Sequence, residues 1–447
     1  MLKIPKSAII ARRLGIALLP ALAIILPCGA STPPTLNTLY SFTGQGDGAA
    51  PEAGLVMSSG GELFGTTEYG GASGWGTVYE MIPGKGGVWT EKTLYSFTGE
   101  ADGANPISKL VITANNVLYG TTYYGGANGD GVVFELAPKT GGVWKQTVLY
   151  SFAGGNDGAN PSAGLLLSGT SVLYGTTYGG GSGGVGTVFE LALSKGVWTE
   201  TVLYSFQGGT GGTNPLDGAN PFADLAINGS GSLFGTTLQG GTGTNGSGWG
   251  TVFELTKGTG GAWTESVLYA FSGGSDGGAP ESALIIGTGG VLYGSTFWGG
   301  TPMSCVEGGY PQGCGTIFEL AAPVGGGTPW TETVLHTFSG KSPDGAHPYQ
   351  DMVLSTAGIL FGTTYSGGVT SDVCLPDSYD GCGTLYLMKP PATPGGKWVK
   401  SNVTVFQGTP SGGVPNGIVQ AKSGYLFGTT IVGGSEGGYG TVFMTKP

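Results

Sequence analysis

Arginine is nearly absent from this 447-residue chain. Its two copies, Arg12 and Arg13, sit side by side near the N-terminus, and none follows. Histidine is as scarce, with only His336 and His347. Charged residues make up 10% of the chain, and acids outnumber bases by 28 to 17. A surface without arginine and with net negative charge repels phosphate backbones, which excludes nucleic acid as a partner. Two histidines leave little material for a Ser-His-Asp triad, and no nucleophile elbow is present. No Gly-Lys-Ser/Thr loop exists to cradle a phosphate. No apolar run after Leu26 is long enough to span a bilayer.

What the chain has instead is glycine, 93 of 447 residues. No Gly-X-Y register exists, so collagen is excluded. Glycine costs about 1 kcal/mol per helix position relative to alanine, which argues against a helical fold. The glycines are interleaved with Leu, Val, Tyr, Phe and Trp that can build a core, so disorder is not expected. Turns and short strands are.

Residues 1–30 differ from the rest. They carry Lys3, Lys6, Arg12 and Arg13 and no acid, then an apolar run from Leu14 to Leu26, then Cys28-Gly29-Ala30. A basic start, a short apolar stretch and a small-residue end describe a secretory signal peptide cleaved near Ala30. The alternative is a lipoprotein acylated on Cys28, with Pro27 where a small residue is expected. Removal takes away four of the 17 basic residues and none of the 28 acids, leaving a net charge of about −15.

From residue 31 onward the chain repeats itself. Leu39-Tyr40-Ser41-Phe42 recurs at 94–97, 149–152 and 203–206, and in altered form at 268–271, 335–338 and 403–406. A Gly-Thr-Thr phrase begins at Gly65, Gly120, Gly175, Gly235, Gly294, Gly362 and Gly428. A third phrase, Gly-Thr-Val-Phe-Glu-Leu in its fullest form, begins at Gly76, Gly131, Gly186, Gly250, Gly315, Gly383 and Gly440. Each phrase occurs seven times, and the Leu-Tyr-Ser-Phe phrase is spaced by 55, 55, 54, 65, 67 and 68 residues.

Every repeat holds four strand-like runs, a to d, separated by turn residues. In the first they are Gly54–Met57, Leu63–Thr67, Thr77–Met81 and Val88–Phe97. Strand d usually opens with a tryptophan (Trp89, Trp144, Trp198, Trp263, Trp330, Trp398), as expected for packing between neighbouring sheets. Four-stranded units repeated this way predict a β-propeller. Residues Leu39–Phe42 form a strand d with no a, b or c before it. The C-terminus supplies an a, b and c with no d after them. Together they complete a seventh blade, which hides two sheet edges. Residues 31–447 are therefore read as one all-β, seven-bladed propeller of four-stranded antiparallel blades, expected to be a monomer.

The combination of Leu-Tyr-Ser-Phe, Asp-Gly-Ala-Asn-Pro, Leu-Phe-Gly-Thr-Thr, Gly-Gly and Gly-Thr-Val-Phe-Glu-Leu resembles the GloVer-type extracellular tandem-repeat family. The resemblance covers residues 36–446. It implies a bacterial exported protein and carries no activity with it. Family members can end in a sorting anchor, and none follows strand c here.

Cys305, Cys314, Cys374 and Cys382 fall in pairs within the b–c loops of repeats five and six. Local disulfides, Cys305–Cys314 and Cys374–Cys382, are expected in an exported chain. A shared metal site is the rival, with no histidine nearby in sequence.

The d–a and b–c connections of a propeller emerge on one face, which is the expected binding face. Its Asp-Gly phrases (Asp47, Asp102, Asp157, Asp217, Asp276, Asp344) read either as a carboxylate ring for Ca²⁺ or carbohydrate, or as turn caps. Just before the first large apolar residue of strand a, most repeats have Gly or Ala, but three have Lys109, Asp224 and Asp351. These approach the channel mouth, as ligand contacts or as solvated lining. After Gly-Thr-Thr come Tyr69, Tyr124, Trp298 and Tyr365, suited to sugar stacking or to packing under the b–c loops. The resulting expectation is an exported, non-catalytic, carbohydrate-binding or surface-associated module, extracellular or periplasmic. A polysaccharide-acting enzyme and a scaffold for another exported protein are the alternatives. No cofactor is called for beyond the Ca²⁺ reading.

Overall fold

The computed structural model describes residues 35–447 except 209–216, 242–247, 302–304, 308–309, 372–373, 375–380, 394 and 436. The expected signal peptide and Cys28 lie outside the described residues. Seven antiparallel sheets form the seven blades of a β-propeller. Blade 1 runs Val56–Met57, Leu63–Thr67, Thr77–Pro83, Trp89–Ser96, strand a to strand d. Blade 2 begins at Val111–Ile112, blade 3 at Leu166–Ser168, blade 4 at Ala226–Ile227 and blade 5 at Ile285–Ile286.

Strand a is shorter than the sequence suggests in these blades: in blade 1 it pairs with strand b only at Val56 and Met57, and not from Gly54. In blades 6 and 7 it lengthens to Ala346–Leu354 and Gly413–Gln420, each with a register shift midway. Blade 4 adds Gly218–Pro221, paired with the far end of its strand b.

The seventh blade is closed as expected. Asn37–Ser41 pairs antiparallel with Thr441–Thr445, Asn37 opposite Met444 and Ser41 opposite Thr441. Gly413–Gln420, Leu426–Val432 and Thr441–Thr445 supply its other strands.

Burial follows position within a blade. Strand b is buried along its length in blade 1, because neighbouring blades cover both faces. Strand d alternates between exposed and half-buried residues, as an outer strand should. One aromatic contact repeats at every blade junction. The Phe that follows strand d meets, at a steep angle, an aromatic on strand c of the next blade. The pairs are Phe97–Phe134, Phe152–Phe189, Phe206–Phe253, Phe271–Phe318, Phe338–Tyr386, Phe406–Phe443 and Phe42–Tyr79, all 5.1 to 5.4 Å between centroids. The last pair joins blade 7 to blade 1. Such contacts add about 0.5–1.5 kcal/mol each beyond area burial.

The strand-d tryptophans pack backwards, against strand b of the preceding blade. Trp144 meets Phe64 at 6.0 Å, and Trp89 meets Phe427 at 5.6 Å. The Gly-Thr phrases also have a structural cause. Buried hydroxyls of Thr67 and Thr77 lie 2.8 Å apart and clasp the base of the b–c loop. Thr177–Thr187, Thr237–Thr251, Thr296–Thr316, Thr364–Thr384 and Thr430–Thr441 repeat the clasp. Disulfides Cys305–Cys314 and Cys374–Cys382 form within their own loops.

Candidate functional site

The d–a and b–c loops do share one face. Ala49 pairs with Tyr69, Ala104 with Tyr124, Ala159 with Gly179 and Gly278 with Trp298. Each bridge ties the Asp-Gly loop to the residues following Gly-Thr-Thr.

The aspartates of these loops are occupied by their own surroundings. Asp47 accepts from Tyr40 Oη at 2.9 Å, Thr43 N at 2.8 Å and Thr43 Oγ1 at 2.6 Å. Asp102 accepts from Tyr95 Oη and Thr98 N, and Asp157 from Tyr150 Oη and Ala153 N. Asp276 repeats the pattern with Tyr269 and Ser272. In the loop between blades 5 and 6, His336 of blade 5 takes the tyrosine's place against Asp344, which Lys400 of blade 6 also holds at 2.9 Å. These bonds hold the Asp344 carboxyl below the usual carboxylate range, against its burial. The Tyr of Leu-Tyr-Ser-Phe and the Asp seven residues later are thus two halves of one turn lock. Among the described residues no group of three or more His, Cys, Asp or Glu side chains is arranged to hold a metal ion.

Lys109, Asp224 and Asp351 meet at the axis. Lys109 Nζ of blade 2 lies 3.2 Å from Asp351 Oδ2 of blade 6. Asp351 Oδ1 accepts from Ala283 N, and Asp224 Oδ1 of blade 4 accepts from Gly164 N at 2.5 Å. Gly164 is required there. A Cβ would lie 2.8 Å from Asp224 Oδ1. Burial draws the Lys109 ammonium down, but Asp351 and then Asp224 outweigh it and hold it above its ordinary value. Burial and then Asp351 push the Asp224 carboxyl upward, against Lys109 and the Gly164 amide.

The predicted aromatics split into two groups. Tyr69 and Tyr124 are 49% and 51% exposed, on blades 1 and 2. Tyr123 stands edge to face with Tyr124 at 4.7 Å. Trp298 and Tyr365, on blades 5 and 6, are half-buried. Trp298 packs on Phe297 and His347, while Tyr365 packs on Phe297 and Tyr349. His347 also stacks on Phe297 at 4.7 Å, and its Nδ1 lies 2.7 Å from Ser366 Oγ. Burial lowers the imidazole to about 3, so it is neutral.

Three further side chains join this face. Glu52, Glu281 and Tyr349 follow the proline of the d–a loop in blades 1, 5 and 6. Burial, then Glu68 beside it, raises the Glu52 carboxyl. Burial raises Glu281 to about 8. Burial and then both glutamates raise the Tyr349 and Tyr365 phenols. These carboxyls are therefore protonated or close to it at neutral pH, and offer donors as well as acceptors. The signal was in the sequence: the position after that proline varies from Glu52 through Ile107, Ser162 and Phe222 to Tyr349. It breaks the repeat just as the Lys109 position does.

A model built on the Gloeobacter/Verrucomicrobia repeat matches residues 29–153 and 90–305, more than half of the chain. The protein belongs to this family. No curated protein matches it. Among solved structures, this Gloeobacter/Verrucomicrobia repeat protein is similar to a candidate 6-phosphogluconolactonase of Bacteroides uniformis. That match has 17% identity, 82% coverage of this chain and 88% of the other, and a TM-score of 0.49. A gluconolactonase of Xanthomonas campestris matches with 13% identity, 74% and 82% coverage and a TM-score of 0.37. A luciferin-regenerating enzyme matches with 10% identity, 76% and 90% coverage and a TM-score of 0.42. The two disulfides of the repeat protein suit an oxidising, extracellular or periplasmic compartment. Among the described residues no helix is long and apolar enough to cross a membrane.

Proposed function

We propose that this repeat propeller is an exported, non-catalytic module that binds neutral carbohydrate on its d–a/b–c face. The observation that carries the reading is the grouping there of stacking aromatics with carboxyls that burial keeps protonated. Tyr69, Tyr124, Trp298 and Tyr365 offer ring faces to sugar C–H groups. Glu52 and Glu281 offer hydrogen bonds in both directions without net charge. Lys109, Asp224 and Asp351 form the floor at the axis. An anionic glycan would meet the chain's excess of acids, 28 against 17 bases, and is disfavoured. Residues 1–30 act as the signal peptide, with a lipid on Cys28 as the alternative anchor. The protein acts as a monomer.

A polysaccharide-acting enzyme is the second reading, favoured by the neighbouring carboxyls Glu52 and Glu68, since carboxyl pairs perform glycoside chemistry. Thermal unfolding against neutral and acidic polysaccharides, with Ca²⁺ and with a chelator, tests both. A ligand that binds only the folded state raises the midpoint by mass action. A shift with a neutral glycan that stays intact supports the module. A glycan that is shortened during incubation supports the enzyme. A shift with Ca²⁺ alone, or none with any glycan, overturns the carbohydrate reading, and the latter points to a protein partner.

A further inference from the structure

Each Asp-Gly loop is faced from two sides. The preceding blade contributes the tyrosine or histidine described above. The following blade contributes the side chain two residues after its strand-d tryptophan: Glu91, Gln146, Glu200, Glu265, Glu332 or Lys400. In blade 2 this is Gln146, whose Nε2 donates to the carbonyl of Asp102 at 3.1 Å. In blade 6 it is Lys400, whose Nζ donates to the carbonyl of Asp344 and to its Oδ1. Both are hydrogen-bond donors aimed at acceptors.

In the other four blades the same position is glutamate, facing Asp47, Asp157, Asp217 and Asp276. An ionised glutamate is an acceptor only, and what it faces is a carbonyl and a carboxylate. Glu200 Oε1 and Glu332 Oε1 are buried and meet no donor among the described residues. Glu91 receives only a local bond, from Thr93 Oγ1 at 3.1 Å. The seventh blade drops both halves together. Leu36 stands in the glutamate position, and Ser411 replaces the aspartate.

We propose that Glu91, Glu200 and Glu332 each close the bridge to the facing loop with a carboxyl proton. The ring of blades thereby tightens as its surroundings fall below neutral pH. Gln146 shows the same bridge built with a permanent donor, and Lys400 shows it built with a charge.

The groups facing these carboxyls are all acidic or phenolic. Glu91 faces Asp47 and the buried Tyr79. Glu200 faces Asp157 and Tyr150, Glu265 faces Asp217 and Tyr204, and Glu332 faces Asp276 and Tyr269. Among the described residues, the ion pairs are Lys109–Asp351, Lys400–Asp344 and His336–Asp344, so no cation among them answers Glu91, Glu200 or Glu332. Burial first, with a contribution from the facing aspartate, raises each of the four to about 7. Their folded values lie above the ordinary glutamate value. Their contribution is therefore complete below that ordinary value and is lost as pH rises through about 7.

The test is the pH dependence of unfolding, measured by denaturant from about pH 4.5 to about pH 8.5 on the full chain. Stability should fall with rising pH. In the variant carrying E91Q, E200Q and E332Q together, the proton uptake on folding should drop by up to about three, one for each glutamate. Its midpoint near pH 8 should rise. The single variants serve if the combined one folds poorly, each removing up to about one proton. Q146E should add one. An unchanged slope in the Gln variants would overturn the proposal. So would stabilisation by millimolar Ca²⁺ near pH 8 that the Gln variants lose, since a cation and not a proton would then fill the bridge.

Discussion

Lys109 Nζ of blade 2 lies 3.2 Å from Asp351 Oδ2 of blade 6, so an ion pair crosses the axis between blades that are not neighbours. Asp224, from a third blade, shares the same field. Lys109→Met would leave two carboxyls without their cation. Lys109 and Asp351 keep 32% and 15% of their side-chain exposure, so solvent moderates the penalty. The expected cost is about 1–3 kcal/mol near pH 8, below that of a fully buried pair. The loss should shrink near pH 5, as the raised Asp224 takes up a proton. Denaturant midpoints at the two pH values check both statements.

Tyr95 Oη donates to Asp102 at 2.8 Å across the junction of blades 1 and 2. Tyr95→Phe removes one bond and leaves Asp102 its Thr98 donors. It should cost about 1 kcal/mol. Asp102→Ala strands the Tyr95 hydroxyl, the Thr98 amide and the Thr98 hydroxyl together, and should cost about 2–4 kcal/mol. Equal losses in the two variants would contradict the lock as described.

Tyr69 and Tyr124 are half exposed, so replacing either with Ala should change stability by less than about 0.5–1 kcal/mol. The same replacements should weaken glycan binding by about tenfold each, the loss expected for one stacking contact. Trp298→Ala should also cost stability, because Trp298 supports His347 and Phe297. Calorimetric titration beside thermal melts separates the two effects.

Removing residues 35–44 would strip strand d from blade 7 and expose the edge of Thr441–Thr445. It would also delete Phe42, which packs on Tyr79 across the closing junction. The shortened chain should lose its single cooperative transition and aggregate through the open edge. Light scattering during a thermal ramp would register this directly.

The blades were legible because each repeated phrase answers a local requirement. Gly-Thr-Thr and the Gly-Thr opening strand c supply the two threonines of the clasp in every blade but the second, where Val132 replaces one of them; in blade 1 they are Thr67 and Thr77. The tryptophan opening strand d reports the blade-to-blade contact. The complementary ends, Leu39–Phe42 and the C-terminal a, b and c, report closure of the ring. Strand a was less legible, since the point at which it begins to pair with strand b differs from blade to blade while its phrase repeats. The Asp-Gly phrase left two readings open in the sequence. Only the contacts with Tyr40, Tyr95 and Tyr150 decided for a turn lock.

The site divides in the same way. Lys109, Asp224 and Asp351 stood out as exceptions to a repeat, and repetition is a property of sequence. That they meet is a property of closure, which brings residues 109 and 351 together across 242 positions of chain. Glu52, Glu281, Tyr349 and Tyr365 gather for the same reason, from blades 1, 5 and 6. The burial that protonates the glutamates exists only once the ring has formed. The sequence by itself determined the blade, because every blade but the seventh is built from strands consecutive in the chain. The tertiary structure decided the face, because its electrostatics belong to carboxyls that the chain buries together only when its two ends meet.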